Sequence, residues 1–195
     1  MIRTAIVSLI VLIAANQNLY SQEAFSEVRL TLTANKLMSG NTLLRSWEPT
    51  EGLGFELSTP YHFGNLEAGY RYLRFNEIDF ENSGFHSHYI FFGWNFSYAA
   101  SDEVALVSGV RFGKQFMLHD EDIFYGGDYR FSREESEFSY ELQMRLQYEI
   151  SRNIELYIGT AYNRTVFSIP FAAFYGTAGL TFKFPSSRWF RTVME

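Results

Sequence analysis

One stretch of the sequence alternates between apolar and polar residues without an error, and it restricts the fold more than any other feature. Its apolar positions are Phe138, Tyr140, Leu142, Met144, Leu146, Tyr148 and Ile150. Its polar positions are Glu137, Ser139, Glu141, Gln143, Arg145, Gln147 and Glu149. Successive side chains of a strand point to opposite faces, whereas a helix would distribute both sets around its axis. The stretch is therefore predicted to be a two-faced β-strand.

Seven further segments show the same alternation less cleanly. The pattern predicts eight strands near residues 27–38, 51–60, 65–75, 86–98, 103–117, 137–150, 154–164 and 173–184. The predicted connections alternate in length, with short turns at Tyr61–Gly64, Ala99–Asp102 and Ser151–Asn153. The connections at 39–50, 76–85, 118–136 and 165–172 are longer. Short turns at one end and longer loops at the other are typical of transmembrane barrels. The predicted fold is an all-β, eight-stranded antiparallel up-and-down transmembrane β-barrel.

The volume of such a barrel indicates which face points outward. Phe, Tyr and Trp make up 18% of the chain, and an eight-stranded barrel has an interior only wide enough for side chains or one small ligand. The polar face contains many glycines, which suit a crowded space: Gly52, Gly54, Gly69, Gly93, Gly109, Gly113, Gly159 and Gly179. The polar face is therefore predicted to line the lumen and the aromatic face to meet lipid. The opposite orientation, a soluble secreted barrel, is the alternative.

With this orientation, ten charged residues face the lumen. They are Arg29, Arg71, Arg111, Arg145 and Lys183, with Glu56, Glu67, Glu141, Glu149 and Glu155. Because an unpaired buried charge is costly, the equal numbers of positive and negative groups predict a cross-strand salt-bridge network rather than an open channel.

The N-terminus predicts export. Arg3 is followed by an apolar run from Thr4 to Ala15, which is the pattern of a secretory signal peptide. This run is too short to span a bilayer as a helix; a buried N-terminal helix is the alternative. The predicted organisation is a signal peptide at 1–22, a barrel domain at 23–184 and a short periplasmic tail at 185–195.

Composition excludes some classes of site and partner. The chain has no cysteine, which removes disulfides and thiolate metal sites. Its formal charge of -6 argues against a nucleic-acid partner. No cofactor and no metal site is predicted.

The last predicted strand contains the segment Thr177-Ala-Gly-Leu-Thr-Phe-Lys-Phe184. Its Gly179, Leu180, Phe182 and Phe184 resemble the terminal-strand signal of small OmpA/OmpX-like outer-membrane barrels. The resemblance implies a bacterial outer-membrane location with periplasmic termini, and recognition by the barrel assembly machinery. The chain departs from this class in that residues 185–195 follow the final aromatic residue.

Two segments carry candidate chemistry. His86 and His88 share one face of a strand, as a metal site or a catalytic pair requires, and outer-membrane lipid A deacylases use a His and a Ser at this spacing. A second His stands here in place of that Ser, and the pair is interpreted as interfacial polar residues.

The longest loop is acidic and aromatic, with Asp120, Glu121, Asp122, Phe124 and Tyr125. Its oxygens suit a hard cation such as those that cross-bridge lipopolysaccharide, and its rings suit an external partner; a solvated loop is the alternative. The sequence therefore predicts a structural or surface-interaction barrel in contact with outer-membrane lipid and lipopolysaccharide, and not an enzyme. A lipid A-modifying enzyme and a narrow, porin-like pore remain as alternatives.

Overall fold

The computed structural model describes residues 24–40, 47–78, 83–120, 124–125, 129–130, 134–166 and 171–187. The predicted signal peptide and most of the predicted tail lie outside these residues. So do Glu121 and Asp122 of the longest loop, and Phe124 and Tyr125 are described by their backbone only.

Eight long strands form the described part of the chain. They are β1 (Glu27–Gly40), β2 (Gly52–Tyr61), β3 (Gly64–Glu77), β4 (Phe85–Ala99), β5 (Val104–His119), β6 (Glu134–Ser151), β7 (Ile154–Thr165) and β8 (Phe171–Pro185). Each coincides with one predicted strand to within a few residues. Among the described residues, no helix is long and apolar enough to cross a membrane.

The eight strands close into a barrel. Each strand is antiparallel to its neighbours in the chain, and β8 pairs back with β1 from Glu27↔Pro185 to Gly40↔Ala173. Closure satisfies the backbone hydrogen bonds of both outer strands and removes the exposed sheet edges. The predicted fold class, an antiparallel up-and-down barrel of eight strands, is confirmed.

The connections differ between the two ends of the barrel. At the end that we call the turn end, strands are joined by 62–63, 100–103 and 152–153. At the loop end they are joined by 41–51, 78–84, 120–133 and 166–170. In two of these loops short segments pair: Trp47–Pro49 extends beside the last residues of β3, and Phe124–Tyr125 pairs with Tyr129–Arg130. β1 begins and β8 ends at the turn end, where Glu27 is paired with Pro185.

Burial in this barrel is the reverse of that in a soluble protein. Outward-facing Leu53, Phe92 and Ile158 have exposed fractions of 67%, 65% and 65%, whereas Glu141 in the lumen is fully buried. An apolar outer wall around a polar interior is the arrangement required where the surrounding solvent is lipid. The core of the molecule is therefore the lumen.

Candidate functional site

Six charged side chains meet at the centre of the lumen: Glu56, Glu67, Arg71, Arg111, Glu141 and Arg145. Arg111 is the hub. Its guanidinium lies 2.6 Å from Glu56 and 2.8 Å from Glu67, and its Nη1 lies 3.1 Å from an oxygen of Glu141. The contacts thus connect β5 to β2, β3 and β6 through a single side chain, whose planar fork of donors suits several carboxylates at once.

The other two arginines complete this central network. Arg71 Nη2 lies 2.7 Å from Glu141, and Arg145 Nη2 lies 2.8 Å from Glu56 and 3.6 Å from Glu67. Three arginines then face three glutamates, and each of the six side chains is more than nine-tenths buried. The central network is therefore electrically balanced, as a buried cluster has to be.

Each of these arginines also stacks on an aromatic ring of the lumen. The Cζ of Arg71 lies 4.3 Å from the ring centre of Tyr175 and 5.1 Å from that of Tyr89. Arg111 lies 4.2 Å from Phe91, and Arg145 lies 4.7 Å from Tyr157. Such cation–π contacts orient the guanidinium planes. These rings were not among the residues predicted to face the lumen, although all four alternate in phase with the lumen-facing positions of their strands.

Glycine makes room for two of the rings. Phe91 is paired with Gly69 on β3, and a Cβ added to Gly69 would lie 2.6 Å from Cζ of that ring. Tyr157 is paired in the same way with Gly179 on β8 and lies over it. The glycines of the polar face thus act as the sequence suggested, by leaving space in the lumen.

The remaining predicted lumen charges lie nearer the turn end. Lys183 Nζ lies 2.6 Å from Glu149 and 3.1 Å from Glu155. Arg29 is the ladder partner of Lys183 but has no ion pair with any of the other nine, and its guanidinium lies 2.6 Å from Glu27 instead. Of the ten residues, six thus share the central network, three form a second cluster and one stands apart.

The loop end of the lumen contains a different kind of packing, which we call the apolar plug. It consists of Leu73, Phe75, Phe85, Met117, Ala161, Phe171, Ala173 and Tyr175. The rings of Phe75 and Phe85 stack with centroids 4.5 Å apart, and Trp47 meets Phe85 edge-on at 5.3 Å. The indole N–H of Trp47 donates to the carbonyl of Ser83, at 2.9 Å.

The apolar plug corrects the expectation that the aromatic residues meet lipid and the lumen is polar. The division is incomplete in the centre of the lumen as well, where the rings of Tyr89, Phe91 and Tyr157 are buried. Phe75 and Phe85 belong to segments that the alternation placed at or beyond strand ends, so their inward direction was not recognised. Because β3 and β4 extend further than predicted, the alternation of inward and outward side chains continues through Phe75 and Phe85, and both rings point into the lumen.

His86 and His88 lie on the outer wall at the loop end, not in the lumen. Each Nδ1 is hydrogen-bonded to a tyrosine hydroxyl of β3, His88 to Tyr70 at 2.7 Å and His86 to Tyr72 at 2.6 Å. Ser87, between them, points into the lumen, where its hydroxyl bonds to Gln115. No group of three or more potential metal ligands occurs among the described residues.

Asp120 is the one member of the predicted loop site whose side chain is described. It accepts hydrogen bonds from the Arg74 guanidinium, at 2.7 and 2.5 Å, and lies 3.6 Å from His86. This carboxylate therefore fastens the start of the loop to the outer wall.

The residues of the predicted assembly signal divide between the two faces of β8. Gly179 faces the lumen, whereas Leu180, Phe182 and Phe184 lie on the outward face. Leu180 is paired with Leu32 on β1 and with Leu156 on β7, so the segment lies at the seam where the barrel closes.

An eight-stranded up-and-down barrel with an apolar outer wall and a charged lumen is the fold of the small outer-membrane β-barrels, and this chain has that fold. Among solved structures it is similar to Neisserial surface protein A, with 13% identity, a TM-score of 0.59 and coverage of 84% of this chain and 100% of that one. It is also similar to the N-terminal barrel domain of OprF from Pseudomonas aeruginosa, with 10% identity, a TM-score of 0.52 and coverage of 83% and 100%.

A third similar structure is the outer membrane protein AlkL in DMPC lipid bilayers, with 12% identity, a TM-score of 0.51 and coverage of 88% and 98%. At these identities the likeness concerns the fold alone. No family model and no curated protein matches the sequence.

Proposed function

We propose that the protein is a sealed barrel of the bacterial outer membrane, with its turn end in the periplasm and its loop end at the cell surface. Its role is structural and interactive: the barrel holds the four loops in place, and the loops and the outer wall meet the lipid surface or an external partner. Conduction and catalysis have no part in this role.

The inside-out distribution of residues carries the membrane part of the proposal. Leu142, Met144 and Leu146 of β6 expose about half of their surface, while Gln143 and Arg145 between them are buried. In water, such a wall of exposed apolar side chains around a charged lumen would favour aggregation. In lipid, the same wall is buried and the lumen charges are shielded.

The two kinds of lumen packing support the sealed state. The central network fills the middle of the lumen with paired charges, and the apolar plug fills the loop end with stacked rings. An ion crossing the barrel would have to separate these pairs and displace the rings, both of which are costly steps.

The location is tested by fractionating cells and comparing boiled and unboiled samples on a detergent gel. We expect a band in the outer-membrane fraction that migrates differently after boiling, because folded barrels often resist the detergent. An unshifted band in the soluble periplasmic fraction would contradict the proposal and favour a secreted barrel.

The sealed state is tested separately, with purified protein in planar lipid bilayers. We expect no steady single-channel openings from the natural sequence. Phe75→Ala combined with Phe85→Ala removes the stacked pair of the apolar plug but leaves the central network in place, so we expect this variant to remain closed as well. Steady openings of the unaltered protein would establish the narrow pore instead.

The enzyme alternative has its own test, which is the mass spectrum of lipid A from cells with and without the protein. The geometry gives that alternative little support, because Ser87 points away from both histidines. We expect an unchanged acyl pattern. Loss of an acyl chain that depends on His86 or His88 would overturn the non-catalytic role.

A further inference from the structure

A groove runs along the outer wall near the loop end, across β4, β5 and β6. Its volume is about 550 Å³, and its apolar lining comes from Ile90, Phe92, Phe116 and Phe138, with Lys114, Ser136 and Glu137 as its polar lining. All four apolar side chains face outward, away from the lumen. A groove of this kind, on a wall that meets lipid, is shaped to hold part of an elongated apolar molecule.

Lys114 interrupts this apolar lining. It lies on the outward face of β5, directly between Ile90 of β4 and Phe138 of β6, with its Nζ 5.3 Å from the ring centre of Phe116. It has no ion pair with any residue that the structure describes. The cost of a charged side chain on the lipid face of a barrel rises with its depth, so an unpaired lysine here favours an anionic partner from the surrounding lipid.

Arg164 provides a second unpaired cation on the other side of Phe138. It lies on the outward face of β7, paired with Tyr140 of β6, and within the described part of the chain it has no ion pair either. β5 and β7 are two strands apart, and the partners of the two residues on β6, Phe138 and Tyr140, are two residues apart. This places the backbones at Lys114 and Arg164 about 12 Å from each other.

Two other cations at the loop end show that pairing is the usual arrangement on this wall. Lys36 lies 3.4 Å from Glu51, and Arg74 is bound to Asp120. Lys114 and Arg164 differ because neither has a carboxylate partner among the described residues. Lys114 lines the groove, whereas Arg164 lies beyond its edge, on the strand next to β6. Charge complementarity therefore indicates a ligand with an apolar chain and an anionic head.

We propose that this groove binds the phosphorylated glycolipid of the outer leaflet, lipid A, with an acyl chain along the rings and its phosphates at Lys114 and Arg164. Two cations on the strands either side of β6 suit a head group with two separate phosphates, such as that of lipid A, whereas phosphatidylglycerol has only one. The assignment to the outer leaflet rests on the orientation given under Proposed function, with the loop end outside.

The test is the affinity of the purified, folded barrel for bisphosphorylated lipid A, measured by native mass spectrometry from detergent micelles. We expect Lys114→Gln and Arg164→Gln each to weaken binding about tenfold, and the double variant about a hundredfold, because each removes one charge-assisted contact to phosphate. Lys36→Gln is the matched control, since it removes a loop-end lysine outside the groove, and we expect it to change affinity by less than about twofold.

The ligand chemistry is tested with two further lipids. We expect lipid A without phosphates to bind the natural protein as weakly as bisphosphorylated lipid A binds the double variant. We expect phosphatidylglycerol, with one phosphate, to bind at least about tenfold more weakly than lipid A. Equal binding of phosphatidylglycerol would overturn the assignment to lipid A.

Unchanged affinity of the double variant would overturn the site itself. The gel shift on boiling verifies that each variant is folded, so a loss of binding is not confused with a loss of the barrel. The two proposals can fail separately. If the natural protein fractionates with the outer membrane and does not conduct, yet the double variant binds lipid A as tightly as the natural protein does, the lipid site is contradicted and the proposed function stands.

Discussion

The two halves of the lumen are filled by opposite means. Toward the turn end and the centre, paired charges occupy the space, with Arg111 bound to three carboxylates. Toward the loop end, the stacked rings of Phe75 and Phe85 occupy it without a charge between them. Both halves are buried, but a charge network depends on each partner being present, whereas an apolar cluster depends on total volume. The charged half therefore connects β5 to β2, β3 and β6 through specific ion pairs, and the apolar half closes the loop end of the barrel.

The largest expected effect comes from removing the hub of the central network. We expect Arg111→Met to lower the free energy of unfolding by about 3–5 kcal/mol, because it leaves buried carboxylates without their partner. Denaturant unfolding in lipid vesicles, followed by tryptophan fluorescence, measures the loss.

Adding Glu56→Gln and Glu67→Gln to Arg111→Met distinguishes lost charge balance from lost packing. We expect these additions to recover part of the stability, since they remove the uncompensated charges. If the triple variant is less stable than Arg111→Met alone, charge balance is not what the network contributes.

A smaller loss is expected in the apolar plug. We expect Phe75→Ala to cost about 3 kcal/mol, because it removes a fully buried ring that stacks on Phe85 and leaves a cavity. The same unfolding measurement applies. Phe75→Leu serves as the control and should retain most of the stability, since it restores much of the volume; a loss as large as that of the alanine variant would contradict a role based on volume.

The smallest effect is expected beside the hub of the central network. We expect Gly69→Ala to cost about 1–3 kcal/mol, because its methyl group would lie 2.6 Å from the Phe91 ring, which supports Arg111, and 2.6 Å from the backbone carbonyl oxygen of Phe55. Gly176→Ala is the matched control, since the nearest atom to its methyl group would be the Met38 sulfur at 3.3 Å. Equal losses in the two variants would mean that the restricted space around Gly69 has no special importance.

The sequence by itself determined the number of strands, their approximate bounds and the orientation of the charged face in β2, β5 and β6. These properties follow from alternation with a period of two, which is written locally in each strand. The same signal indicated that Glu56, Arg111 and Glu141 point inward. It failed at Phe75 and Phe85, because the alternation was followed only to the ends of the predicted strands.

The tertiary structure alone decided which inward charges meet. Nothing in the local pattern distinguishes Arg111, which binds three glutamates on three strands, from Arg29, which pairs with its own strand neighbour Glu27. The same holds on the outer wall, where Lys36 pairs with Glu51 and Lys114 has no ion pair with a described residue. The height of a residue in a barrel depends on the strand stagger set when the sheet closes, and this stagger is a property of all eight strands together.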